Sequence, residues 1–595
     1  MKNLCHHSKR NAPLYLMDYF CRMLYKVLQK LGCLVVWMAS HMAFAQTFPV
    51  KNYPKGYFTW PVGATVALAA NFGELRPNHY HMGLDCKTEK KQNMPIYAAA
   101  EGYIARVKIE PYGFGRAIYV NHPNGFTTLY AHLNDFYPAL EAYVKKEQYR
   151  QKTWKLTLDI PPGTLPVDKG QFIAYSGNTG GSQGPHLHFE IRDTKSDKVL
   201  NPSLFGFPVP DNIAPDVLRL AMYDRCLSVY EQSPKYISIK KVNGVYTATP
   251  AVVMANTDKV SFAITAYDRY SGSTNQNGIF EAILYDNERA IVGFQLDSIG
   301  YDETRYLNAH IDYKLKGSGG PYLQHLSRLP GYPGWPYQEF SGNGVIAIDD
   351  DSLHQIKILV KDANGNTATV LVKVQRGPNA PERQVDSLAL YKQRNFHPGL
   401  LNIFENDKIS FYLPETALYD SIRFAYKETV SGGNTVFQLH HGAVPVHNYF
   451  PIKIKGPAGN PYRNKMVMKR WWGGKIDFAP AIAEGDWYKA SFREFGYLTL
   501  LVDTMPPSIA PVGFKNGMNC AKLKRLAFVI VDNTEELKNF TAVLDGQQWL
   551  RFSNDKGRTF VYEFDENCPS GNHELVLTVE DCVGNKTERR YSFVR

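Results

Sequence analysis

Six of the chain's seventeen histidines fall between residues 79 and 188, and four of them stand in three short motifs: His81-Met-Gly-Leu-Asp85, Tyr130-Ala-His132 and His186-Leu-His188. Imidazole and carboxylate groups together suit a borderline divalent metal such as zinc. A catalytic zinc needs three protein ligands and one open position. The third motif opens the alternating run His186-Leu-His-Phe-Glu-Ile-Arg192, which reads as a strand, so His186 and His188 project from one face. Two histidines and one aspartate meet the ligand count and leave histidines over for proton transfer. A solitary histidine is an ordinary structural residue, but three such motifs in sequence are not explained that way.

The surrounding elements must hold these residues on β-structure. From about 58 to 208 the chain shows short strands broken by Gly, Pro and Asn. Asn124-Gly125 lies between Gly115-Arg-Ala-Ile-Tyr-Val120 and Phe126-Thr-Thr-Leu-Tyr130, which is a hairpin signal. Pro138 to Lys155 is rich in Ala, Leu, Glu, Lys and Gln and predicts a helix, read as part of an insertion over about 134–166. Gly180-Gly-Ser182-Gln-Gly184 has the G-x-S-x-G spacing, but a nucleophile elbow must lead from strand into helix, and here Pro185 and a strand follow. Ser182 therefore reads as part of a glycine-rich turn. His573-Glu574 lacks the second histidine of H-E-x-x-H.

The stretch 79–192 resembles the lysostaphin/LytM-type metallopeptidases. The supporting pieces are Met94-Pro-Ile-Tyr-Ala-Ala-Ala-Glu-Gly102, Gly113-Phe-Gly115, Lys169-Gly-Gln-Phe-Ile-Ala174 and Ser176-Gly-Asn-Thr-Gly-Gly-Ser-Gln-Gly-Pro-His186. Carried over residue by residue, the resemblance makes His81, Asp85 and His188 ligands of a Zn2+ cofactor and places His132 and His186 beside the attacking water. His79 and His122 match no ligand position of that pattern. Cys86, adjacent to Asp85, points away from it if the backbone is extended. The implied activity is zinc-dependent peptide hydrolysis, with stem or cross-link peptides of peptidoglycan as substrate. The alternatives are a non-catalytic peptidoglycan-binding or hydrolase-activating scaffold, which in this family lacks one or more ligands, and a peptidase acting on secreted proteins. The insertion after His132 bears on specificity.

The fold class expected is mainly β: an antiparallel LytM/lysostaphin-like peptidase domain with a helical insertion, then about three Ig-like β-sandwich domains. Residues 1–45 read as a signal peptide, with basic residues from Lys2 to Lys30, the apolar run Leu31–Ala39 and Ala43-Phe-Ala45 before Gln46. The peptidase domain is expected over 46–210, followed by a sandwich at 211–378, a β-rich domain at 379–504 and a sandwich at 505–595. The two sandwiches are linked by an internal repeat: His354-Gln-Ile-Lys-Ile-Leu-Val-Lys-Asp362-Ala-Asn-Gly-Asn366 aligns without gaps on His573-Glu-Leu-Val-Leu-Thr-Val-Glu-Asp581-Cys-Val-Gly-Asn585. No concentration of ligand-type residues marks these C-terminal stretches, so binding or architectural roles are expected of them rather than chemistry; the long all-β tail resembles that of Bacteroidota-type envelope peptidases, which implies docking to the envelope or to protein partners.

The net charge of +11 includes six basic residues and one acidic residue in the first 45, so the remainder carries about +6 with no Lys/Arg block; nucleic-acid binding is not indicated. No apolar stretch after residue 46 approaches spanning length, so the exported chain is expected in the periplasm or cell envelope, or secreted, without a transmembrane segment. Five cysteines follow residue 46 without a C-x-x-C pair, and any disulfide is expected among Cys520, Cys568 and Cys582.

Overall fold

The computed structural model describes residues 48–49, 51–380, 394–457, 459–534 and 537–595, and it divides into two compact units, 1–52 and 53–595. In the first unit, residues 48, 49, 51 and 52 form no helix or strand, and the signal peptide expected over 1–45 lies outside the described residues. The second unit is mainly β.

Seven antiparallel strands carry the histidine motifs: β1 (Leu68–Ala70), β2 (Leu84–Lys87), β3 (Gly102–Ile109), β4 (Arg116–Asn121), β5 (Phe126–Ala131), β6 (Leu156–Asp159) and β7 (His186–Asp193). Their order in the sheet is β1-β2-β7-β5-β4-β3-β6. β7 is central and buried on both sides. Leu187, Phe189 and Ile191 enter an apolar core with Leu84, Ile118 and Tyr130, so the alternate residues His186, His188, Glu190 and Arg192 share the opposite face. A three-stranded sheet of Pro95–Tyr97, Phe172–Ser176 and Leu133–Phe136 adds Ile96, Ile173, Leu133 and Phe136 to the same core. Gly125 turns the β4–β5 hairpin with φ of 83°. The insertion carries helix α1 (Pro138–Gln151), which buries Leu140, Val144 and Gln148 at helical spacing and stops at Lys152 in left-handed backbone.

In the next module Lys235–Val242 pairs at its start with Asp216–Asp224 and at its end with Val245–Ala255, joining what would be two sheets into one of eleven strands. Two five-stranded sheets follow between Asn402 and Val502, then a three-stranded and a five-stranded sheet between Ser508 and Val594. One apolar core runs through the second and third of these modules and takes in Phe72, Tyr80 and Met82 of the first; the last module has its own.

The repeated turns are alike. Asp362 Oδ1 accepts from the backbone of Asn364 and Asn366 and its Oδ2 from Asn366 Nδ2; Asp581 does the same with Val583 and Asn585. Cys520 and Cys568 are free thiols buried in the last core, so the disulfide expected among the three C-terminal cysteines is not formed. The expectation that the modules after residue 210 gather no ligand-type residues is also corrected. Carboxylate oxygens of Asp211, Asp268 and Asp362 lie within 4.8 Å of one another. They come from a linker, a strand end and a turn far apart in the chain, and only the sheet brings them together.

Candidate metal centre

Register sets the centre. His188 on β7 lies directly opposite Asp85 on β2, so their side chains leave the sheet on the same face. His81 is held by backbone bonds from its N–H to Glu74 O and from Gly73 N–H to its own carbonyl, each 2.8 Å. Gly83 is required between them: a Cβ there would stand 2.5 Å from Phe189 O and 3.0 Å from His188 Cε1. The structure brings His81, Asp85 and His188 together with 2%, 5% and 6% exposure. His81 Nε2 is 2.9 Å from Asp85 Oδ1, His188 Nδ1 is 3.0 Å from the same oxygen, and the two nitrogens are 3.0 Å apart. Ligands at about 2.0–2.1 Å from a tetrahedral zinc stand roughly 3.3 Å from each other, so the triad fits such an ion to within a few tenths of an ångström.

Each donor is fixed from behind. His81 Nδ1–H donates to Asn71 O at 2.7 Å, and His188 Nε2–H donates to Glu190 Oε1 at 2.9 Å; these partners aim the other nitrogen of each ring, His81 Nε2 and His188 Nδ1, at the shared point where a metal would take it in place of a proton. Glu190 is in turn held by Tyr301 OH at 2.6 Å and by Arg192 Nε at 2.7 Å. Arg76 Nη2 bonds Asp85 Oδ2 at 2.5 Å, turning Oδ1 toward the histidines.

The electrostatics call for positive charge between these groups. Burial, which would raise Asp85, is outweighed by His81, His186 and His188, and the carboxyl is held well below its usual range. Burial would lower His188, but Asp85 and Glu190 lift it to about 9. Burial drops His81 to about 4 despite Asp85. Glu190, buried yet flanked by Arg192 and His188, falls to about 2.

His132 and His186 stand beside the triad, their ring centroids 4.8 Å apart. His132 Nδ1–H donates to Thr179 O at 2.9 Å and His186 Nδ1–H to Gly184 O at 2.8 Å, so Nε2 is the basic nitrogen of each. His186 Nε2 lies 3.4 Å from Asp85 Oδ1. Burial, reinforced by His188 and His186, lowers His132 to about 3. His132 also sits in left-handed backbone, with φ of 62°, an uncommon conformation for a residue with a Cβ. Ser182 Oγ donates to Gly184 O and closes the glycine-rich turn. Gly180 presses so closely on Gly115 that a Cβ would meet its nitrogen at 2.2 Å. The last module braces this turn: Gly180 N–H donates to Asp555 Oδ1 at 2.8 Å, Lys556 Nζ to Ser182 O at 2.6 Å, and Lys556 N–H to Pro111 O at 2.9 Å.

The structure places the remaining candidates elsewhere. His79 faces Pro77 O, His122 is tied to Glu101 O and Thr128 in a structural role, and Cys86 points into the apolar core. Sequence reasoning missed Arg76, Asn71, Tyr301, Asp555 and the role of Glu190. Of these only Glu190 carried a signal, because the alternation that pairs His186 with His188 puts it on the same face.

Residues 79–149 and 163–202 match the family described as Peptidase family M23, and residues 393–503 match a Zu5-like domain. The chain is 29% identical over 163 residues to an uncharacterized metalloprotease of Haemophilus influenzae, covering 26% of this chain and 28% of that one. It is 33% identical over 131 residues to the DD-carboxypeptidase/endopeptidase Mpg of Neisseria meningitidis, 22% of this chain and 24% of that protein. It is 32% identical over 97 residues to the peptidoglycan DD-endopeptidase ShyA of Vibrio cholerae, 16% and 17% of the two chains. The likeness thus spans at most 28% of the length of these relatives. With the histidine motifs, their strands and the family match falling on the same stretch, the chain carries a domain of peptidase family M23 within residues 79–202.

Proposed function

We propose that the chain is an exported zinc metalloendopeptidase that hydrolyses peptide bonds in the stem or cross-link peptides of peptidoglycan. The observation that carries this reading is the meeting of His81 Nε2, Asp85 Oδ1 and His188 Nδ1 within 3.0 Å of one another, with two more histidines alongside. Two imidazoles and one carboxylate fit zinc and leave a position for substrate. Zinc held there supplies Lewis acidity toward the scissile carbonyl and toward water. Of His132 and His186, one takes the proton of the attacking water at Nε2 and returns it to the departing amine, while the other orients that water by accepting from it, or steadies the oxygen that gains charge when its own Nε2 carries a proton. Asn71, Glu190 and Arg76 hold the three ligands in orientation.

The substrate class rests on the names of the Neisseria and Vibrio relatives. Export rests on the pattern of residues 1–45, with the periplasm or cell envelope as destination. Among the described residues no helix is long and apolar enough to cross a membrane. The modules at 211–378, 379–504 and 505–595 are read as envelope-docking units. The complete set of five site residues favours catalysis over a scaffold role. Digestion of purified peptidoglycan by the zinc-loaded protein, read by mass spectrometry, tests this. New peptide ends that vanish in His188→Ala support it, and a zinc-loaded protein inert on every wall peptide overturns it.

A further inference from the structure

A second cluster lies outside the peptidase site, where the linker after the first module meets the eleven-stranded sheet. Its members are Asp211, Asp268 and Asp362, with carboxylate oxygens within 4.8 Å of one another. Oxygens on opposite sides of an ion bound at about 2.3–2.6 Å stand roughly 4.6–5.2 Å apart, so all three reach one point. Asp211 and Asp362 are anchored, by Ile213 N–H and Asn364 Nδ2 and by the turn bonds already described; Asp362 Oδ1 is filled by its two backbone donors, while Asp362 Oδ2 and both Asp211 oxygens, with one donor each, keep a further lone pair. Asp268 is different. It is 2% exposed, and its Oδ1 is buried without a hydrogen-bond donor among the described residues.

An independent observation points to the same place. Asp268 and Asn277 exchange both backbone hydrogen bonds, at 3.0 and 2.9 Å, so they lie directly opposite and their side chains share a face. Asn277 is fully buried. Its Nδ2 donates to Asn275 O at 3.4 Å, and its Oδ1, like Asp268 Oδ1, has no donor among the described residues. A neutral amide oxygen left bare on the same face as the Asp268 side chain loses its hydration with nothing returned, unless a cation takes it. The donors are all hard oxygens, with no nitrogen or sulfur among them. That set suits calcium, which accepts several carboxylate and amide oxygens directly, better than zinc, or than magnesium, which keeps its waters.

We propose that Asp211, Asp268, Asp362 and the Asn277 carboxamide form a calcium site that locks the 269–277 loop against the peptidase module. The loop's next residue makes the link. Gly278 N–H donates to Asn71 Oδ1 at 2.9 Å, Asn71 Nδ2 donates to Gly278 O at 2.8 Å, and Asn71 O receives the His81 Nδ1 proton at 2.7 Å. Calcium in the sandwich thus steadies the residue that orients a histidine of the M23 domain. The proposal stands on its own oxygen donors and does not depend on zinc or on hydrolysis.

The test uses the full chain, depleted of calcium and then titrated, with calcium and zinc per chain read by elemental analysis and the melting midpoint by calorimetry. The expected result is one calcium per chain, with Kd on the order of 10⁻³ M or tighter. The melting midpoint should rise with calcium and stay put with equal magnesium. Asp268→Asn should weaken calcium binding at least tenfold, whereas Asp532→Asn, just after the strand Arg525–Val531 of the last module, should leave it unchanged. Should Asp268→Asn fail to fold, terbium luminescence on the unaltered chain serves instead: calcium should quench it by displacement, and Tyr270→Phe, beside Asp268, should dim it. No calcium bound at millimolar concentration, or binding undiminished in both Asp268→Asn and Asp362→Asn, overturns the proposal.

Discussion

The histidine cluster of the first module and the aspartate cluster behind it are built on opposite terms. In the first, two imidazole nitrogens and one carboxylate oxygen meet within 3.0 Å, and each ligand is fixed from behind by a carbonyl, a carboxylate or a guanidinium. In the second, every donor is oxygen, the carboxylate oxygens lie within 4.8 Å of one another, and two buried oxygens have no hydrogen-bond donor among the described residues. A small ion with directional ligands needs a rigid outer frame, while a larger ion with flexible coordination can be met by groups from separate elements. The difference also shows how sites are encoded, locally in one case and by tertiary assembly in the other.

The contrast can be broken at several points. The largest expected effect is that of His188→Ala, which should lower kcat/KM on wall peptides by at least about 10³-fold, the scale of an essential catalytic group, and reduce bound zinc while leaving the calcium-dependent rise in melting temperature intact. Next comes Glu190→Gln, which keeps the shape but weakens the acceptor behind His188 Nε2. Zinc affinity or activity should fall by about 10–100-fold, measured by competition with a chromogenic chelator.

A pH series addresses the aspartates. Burial, with Asp211 and Asp362 adding to it and Arg269 opposing, raises Asp268 to about 8. Its ordinary value in an unfolded chain is about 4. A carboxyl raised on folding contributes stability at low pH that is lost as pH climbs from that value through 8. Calcium replaces the proton, so its stabilising effect should be small at pH 5 and largest above pH 8, as calorimetry across that range will report. The smallest effect belongs to Asp555→Ala, which leaves Gly180 N–H without its partner: a change of several-fold, mostly in KM, with zinc content unaltered.

Much of the first cluster could be read from the chain because strand alternation and short motifs put His81, Asp85 and His188 in local patterns. Glu190 was within reach of the same alternation and went unassigned. Helix Pro138–Gln151 followed from its run of helix-forming residues. Arg76, Asn71, Tyr301 and Asp555 were not legible, because each reaches the site by packing rather than by any spacing with the histidines. The aspartates failed for a related reason. Positions 211, 268 and 362 are separated by 57 and 94 residues, and the turn at Asp362 has the same hydrogen bonds as the turn at Asp581, where no such cluster forms among the described residues. A turn motif fixes its own backbone but does not say what will be folded against it.

The brace from Asp555 and Lys556 onto the turn at Gly180–Ser182 has a consequence for biogenesis. A polypeptide emerging in order exposes its histidines long before the residues that support the loop behind His132 have been made. Proteolysis or premature termination between the modules would release a front portion with every motif intact but with that loop unsupported. The support for that loop therefore arrives only once residues 555 and 556 have been made and folded against it.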